Sequence, residues 1–124
     1  MDAAAQSLDE RAVLVVDDEP AVCRMTARIL TDAGLPTLEV PDGEQAVGLL
    51  DRLGANAVRA VVSDVVMPHL RGDELARILA RRWPTVPILL TTGQGFQLSD
   101  YPGPVLPKPF TPEALVAAVM ALSS

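Results

Sequence analysis

Aromatic residues are scarce: two Phe, one Tyr and one Trp, or 3% of 124 residues. A densely packed interior must therefore be aliphatic, built from Val, Leu, Ile, Ala and Met. A single cysteine, Cys23, excludes an intrachain disulfide and a cysteine-based zinc site. It suits a reducing compartment. Basic residues are outnumbered, 10 Lys and Arg against 16 Asp and Glu, for a net charge of −6. That argues against a direct nucleic-acid binder, which needs clustered cations for phosphate. No apolar run approaches the roughly 18 residues of a membrane span. The opening Met-Asp-Ala-Ala-Ala-Gln-Ser lacks the basic-then-apolar order of a secretory signal. The expectation is a cytoplasmic protein with no membrane attachment. At 49% hydrophobic and 21% charged, the chain is long enough for one domain with a real core.

What is present is alternation. Residues 1–10 are small and polar and read as a flexible lead-in, leaving 11–124 as the folded domain. Ala12-Val13-Leu14-Val15-Val16 is a continuous β-branched run, the pattern of a parallel strand covered on both faces. Pro20 suits a first helical turn, Val22, Met25, Ile29 and Leu30 recur at helical spacing, and Gly34 with Pro36 ends the helix. Thr37–Val40 alternates like an edge strand. Asp42 can cap a helix carrying Ala46, Leu49, Leu50 and Leu53, ended by Gly54. Val58–Ser63 is a buried strand leading to Asp64. Asp73 is the expected cap of a helix burying Leu75, Ile78 and Leu79, with Trp83 packing at its end. Val86–Leu90 forms a strand leading to Thr91 and Thr92, with Pro87 confined to its start. Residues 94–104 hold two Gly and two Pro, enough to leave at most one helical turn. Val105-Leu106 is a very short strand. Thr111-Pro112-Glu113 then starts a helix with Leu115, Ala118, Val119 and Leu122 on its apolar face.

Five strands alternating with helices through short loops predict an α/β fold, a doubly wound parallel sheet with right-handed crossovers. In such sheets function collects at the carboxyl ends of the strands. Those ends carry Asp17 and Asp18, then Asp64, then Thr91 and Thr92, and finally Lys108. Each has an ordinary reading alone. The acids after the first strand favour a helix N-terminus. Thr92 beside Gly93 is a loop hydroxyl, a lysine is usually solvated, His69 is an exposed loop residue, and Cys23 is a small packing residue. Their joint placement at one edge changes the balance. Clustered carboxylates call for a hard divalent cation such as Mg2+. A hydroxyl and an ammonium add donors for phosphate oxygens, and a carboxylate can itself take a phosphoryl group. Asp64 is the best-placed nucleophile, on the strand that metal and donors can reach from both sides.

The segments Val15-Val16-Asp17-Asp18-Glu19-Pro20, Ser63-Asp64-Val65-Val66-Met67-Pro68, Leu89-Leu90-Thr91-Thr92-Gly93 and Pro107-Lys108-Pro109-Phe110 occur in this order. With their spacing, they closely resemble the receiver domain of two-component response regulators over about residues 11–123. The resemblance implies the flavodoxin-like doubly wound sheet of order 2-1-3-4-5. It implies Asp64 as phosphoacceptor, giving a 4-aspartylphosphate. Asp17 and Asp18 would be the acidic pair holding Mg2+, with Asp18 the more direct ligand and the backbone carbonyl of Val66 another. Thr92 would be the switch hydroxyl and Lys108 its ion-pair partner. The phosphodonor would be a phosphohistidine on a sensor histidine kinase or a histidine phosphotransfer domain. The domain would be a signalling switch rather than an enzyme with a separate substrate.

Two features depart from the family's usual pattern. Val105 stands where an aromatic usually precedes the lysine by three positions, and the stretch between Thr92 and Lys108 leaves a shortened or missing fourth helix. The common dimer face of fourth helix, fifth strand and fifth helix is therefore expected to go unused. Val66 and Gln94, each two residues past a site residue, flank the approach of a hydrolytic water; Val66→Asn should change the lifetime of the acyl phosphate. The sequence stops at Ser124 without an output domain, as in a stand-alone receiver or one attached to a hybrid histidine kinase, the latter favoured by Leu-Pro-Lys-Pro-Phe. A flavin carrier of the same fold would need a phosphate-cradling loop, which Asp17-Asp18-Glu19 opposes. A phosphorylation-independent scaffold is the other alternative.

Overall fold

The structure, a computed structural model, describes residues 10–93 and 101–122. Its strands are β1 (Ala12–Val16), β2 (Thr37–Val40), β3 (Val58–Asp64), β4 (Ile88–Thr92) and β5 (Val105–Pro107). Every pairing is parallel, in the order β2-β1-β3-β4-β5, as the alternation required. The helices are α1 (Pro20–Asp32), α2 (Gly43–Leu53), α3 (Gly72–Arg82) and α4 (Pro112–Leu122). The expected lead-in falls almost wholly on residues 1–9, outside the described residues. The expected shortened or missing helix between β4 and β5 falls largely on 94–100, also outside them. Residues 101–104 are described and contain no helix.

Strand alternation splits the core into two layers. Val13, Val15, Val62 and Leu89 face α1 and α4, packing with Cys23, Ala27, Leu30, Leu115 and Val119. Leu14, Val16, Val58 and Val61 face α2 and α3, packing with Ala46, Leu50, Leu75 and Leu79. Trp83 packs at the edge of this second layer with the Arg82 guanidinium 4.2 Å over its ring. The central strands are covered on both faces, which is why they read as unbroken apolar runs.

Local signals account for most helix ends. The Asp42 side chain accepts from the Gln45 amide at 2.8 Å, and Thr111 Oγ1 accepts from the Ala114 amide at 3.1 Å. Gly34 and Gly54 close α1 and α2 with φ of 89° and 82°. Three details differ from the sequence expectation. The buried face of α1 is Cys23, Thr26, Ala27 and Leu30, with Met25 exposed, because small side chains let the helix approach the sheet. Leu53 at the end of α2 is exposed. The cap of α3 is Arg71 rather than Asp73, and the Arg71 amide donates to Glu74 Oε1 at 2.9 Å.

The β4–β5 edge has an unusual closure. Leu90 is in register with Val105, so the Leu90 amide donates to Pro104 O at 3.2 Å. Parallel spacing then calls for an amide from residue 104 to the carbonyl of Ile88. Pro104 has no amide hydrogen. The Tyr101 hydroxyl donates to Ile88 O instead, at 3.3 Å. Burial pushes the Tyr101 phenol up to about 12.

Candidate functional site

The carboxyl end of the sheet gathers the residues singled out by spacing. β1 runs into Asp17, which is buried, and the chain turns at once into α1. The turn is held by the carboxylate: Asp17 Oδ1 accepts from the Glu19 amide at 2.9 Å. Its second oxygen, Oδ2, lies 3.5 Å from Lys108 Nζ. Asp18 points to the exposed side of the same turn. Asp64 closes β3 with its side chain 14% exposed, also 3.5 Å from Lys108 Nζ through Oδ2. One oxygen from each of Asp17, Asp18 and Asp64 lies within 4.8 Å of the others.

Lys108 comes from the turn after β5. Its amide donates to Thr92 O at 2.7 Å, which continues the β4–β5 ladder and aims the lysine across the sheet edge. Thr92 and Thr91 are both buried at the end of β4, and Asp64 is in register with Thr91. The Val65 amide donates to Thr91 O at 3.0 Å, so the backbone after Asp64 is tied to β4. Val66 follows and is 54% exposed. Gln94 lies outside the described residues.

The electrostatics favour a cation. Burial raises the Asp64 carboxyl above its ordinary range; the Lys108 ammonium pulls it down and the Asp17 carboxylate adds to the rise. Three carboxylates against one ammonium leave a surplus of two negative charges. The donors are all oxygens, the ligand chemistry of a hard divalent ion. The residues thus fit an Mg2+ ion on their chemistry. The Cys23 thiol contributes no reactive group nearby: burial, with Glu39 and Asp17, pushes it up to about 11.

The loop from Asp64 to α3 holds two features that composition and period did not reveal. His69, exposed as expected, has φ of 70°, and the Leu70 amide donates to Pro68 O at 2.8 Å, a tight three-residue turn. Gly72 then brings the start of α3 back onto the end of β3: its amide donates to Val65 O at 2.9 Å. A Cβ at position 72 would overlap the Asp64 carbonyl oxygen. The only hint in the sequence was a glycine closing the loop.

Comparison with known proteins places the chain in a family with this fold. The family model described as the response regulator receiver domain matches residues 13–120. The chain belongs to that family. It is 35% identical over 117 residues to the transcriptional regulatory protein TcrA of Mycobacterium tuberculosis, covering 90% of this chain and 45% of that protein. It is 34% identical over 113 residues to the sensor kinase CckA of Brucella abortus, covering 86% of this chain and 12% of that one. The response regulator receiver protein of Sinorhizobium medicae has the same fold: TM-score 0.80, 29% identity, 94% of this chain and 97% of that one. The chain spans less than half the length of the curated relatives it matches. Among the described residues no helix is long and apolar enough to cross a membrane.

Proposed function

We propose that this domain takes a phosphoryl group from a phosphohistidine onto Asp64 and signals by the change that follows. The observation that carries the reading is the bridging of Asp17 and Asp64 by Lys108, 3.5 Å from each, beside Asp18. An Asp64 carboxylate oxygen attacks phosphorus, the phosphorus–nitrogen bond breaks, and the donor ring, protonated on its other nitrogen, takes the bond's electron pair and leaves as neutral imidazole. The product is an acyl phosphate on Asp64. Lys108 is poised to donate to the incoming oxygens, and Thr92 offers a hydroxyl from the end of β4. Asp17, Asp18, Asp64 and the Val66 carbonyl would hold Mg2+, which supplies charge neutralisation for the phosphoryl group. Water later hydrolyses the acyl phosphate, releasing inorganic phosphate and restoring the Asp64 carboxylate, with the exposed Val66 two residues past Asp64. The domain thus performs its own phosphoryl transfer and dephosphorylation.

The donor in this reading is a sensor histidine kinase or a histidine phosphotransfer domain, and the receiver of the signal is a downstream protein not yet identified. The likeness to part of a sensor kinase supports a hybrid-kinase setting. A cytoplasmic location and the absence of direct nucleic-acid contact follow from the same reading and from the acidic balance. A phosphorylation-independent scaffold is less favoured, since it gives no reason for three acids and a lysine to converge. The test is incubation with acetyl phosphate and Mg2+, read by mass spectrometry. The wild-type protein should gain one phosphoryl group and Asp64→Asn none; an equal gain in both would move the acceptor elsewhere.

A further inference from the structure

We infer that Gly72 is a positioning residue for Asp64, an inference that rests on the phosphoacceptor reading above. The backbone after Asp64 is held from two sides. The Val65 amide is tied to Thr91 O at 3.0 Å, and the Val65 carbonyl accepts from the Gly72 amide at 2.9 Å. The Asp64 carbonyl also accepts from Ser63 Oγ at 2.9 Å. Gly72 closes this clamp because its backbone lies directly on the Asp64–Val65 peptide. A Cβ at 72 would overlap Asp64 O and stand 3.0 Å from both Asp64 C and Val65 Cα.

The obstacle is main chain, which cannot rotate away. Gly43 makes the contrast: the three atoms nearest a Cβ there all belong to the Leu70 side chain, the first 2.8 Å away at Cδ2, and a leucine can change rotamer. At Gly72 relief requires that β3 and α3 separate by roughly an ångström, a displacement large enough to cost up to about a hundredfold in a positioned reaction. Such a shift moves the Asp64 carboxylate relative to Lys108, now 3.5 Å away, and moves the Val66 backbone with it. Gly72 therefore acts on phosphoryl capture through Asp64, without touching the phosphoryl group.

The test compares Gly72→Ala with Leu79→Ala, a core truncation in the same helix, at a residue 1% exposed and away from the clamp. Gly72→Ala should slow modification by saturating acetyl phosphate about ten- to a hundredfold. It should also weaken Mg2+ binding, followed by the amide resonances of Asp17 and Asp64, by about tenfold. Leu79→Ala should lower the unfolding midpoint yet keep both quantities within about twofold in the folded protein. Wild-type values in Gly72→Ala, or equal losses in the two variants, overturn the inference. If Gly72→Ala does not fold, the wild-type protein decides: the Gly72 amide should shift with the same midpoint as Asp64 during Mg2+ titration, and a stationary Gly72 amide overturns it. A wild-type protein that neither binds Mg2+ nor takes a phosphoryl group removes the phosphoacceptor reading and this inference with it. A competent wild type beside an equally competent Gly72→Ala removes the inference alone.

Discussion

Asp64 and Val105 lie two strands apart in one sheet, in very different surroundings. Asp64 has its backbone tied to β4 and to α3, and its carboxylate faces an ammonium and two further acids. Val105 is 40% exposed at the start of a three-residue strand, reached through Tyr101 and three residues rich in proline and glycine. At the first place, every neighbour constrains the group that would do chemistry. At the second, the sheet closes through one phenolic hydroxyl in place of a backbone amide. The proposed capture edge and the β5 edge are thus built to different standards, and a change in one region need not alter the other.

Substitutions at the capture edge should have the largest effects. Lys108→Ala removes the cation shared by Asp17 and Asp64 and, in the proposed function, the donor for incoming phosphoryl oxygens. Modification by acetyl phosphate should fall at least about a hundredfold, the usual cost of losing such a donor. Intermediate in size is Tyr101→Phe, which leaves Ile88 O without its hydroxyl donor. Chemical denaturation should show a loss of about 1 kcal/mol, with an unchanged modification rate. A slowed rate would mean that the two regions are coupled.

The same phenol predicts a pH dependence. As its pKa is about 12 in the folded chain against an ordinary 10, the protonated form is favoured by folding. That contribution is fully present below about pH 10 and is lost as pH rises through about 12. With one tyrosine in the chain, absorbance at 295 nm reports it directly. The native midpoint should lie near 12; a midpoint at the unfolded value would show that the hydroxyl is not buried. Val105→Ala should have the smallest effect: under about 0.5 kcal/mol in stability, as for exposed positions, and no change in modification rate.

Much of this contrast could be anticipated from residue order. Continuous apolar runs marked the covered strands, and the polar residues that follow them marked the site. What escaped had physical reasons. Three-dimensional register decides whether a proline costs the sheet a hydrogen bond, so the role of Tyr101 emerges only once Leu90 and Val105 are paired. Helical period cannot say which of two adjacent faces approaches a sheet; on α1 the smaller Cys23, Thr26 and Ala27 did, and Met25 remained outside. Gly72 carries no signal in the sequence beyond being a glycine, and its closeness to Asp64 depends on how the turn at His69 folds back. Val105 was visible at once as a departure, and its exposure gives that departure a structural setting.

Amide NMR during beryllofluoride titration, with and without Mg2+, tests the capture edge most directly. With Mg2+, the resonances of Asp17, Asp18, Asp64, Thr92 and Lys108 should move together and saturate, and those of Tyr101 and Val105 should move less. Without Mg2+ the shifts should be absent. Saturating shifts that bypass Asp64, or that appear equally without Mg2+, would contradict the assignment of this edge as a metal-assisted phosphoryl acceptor.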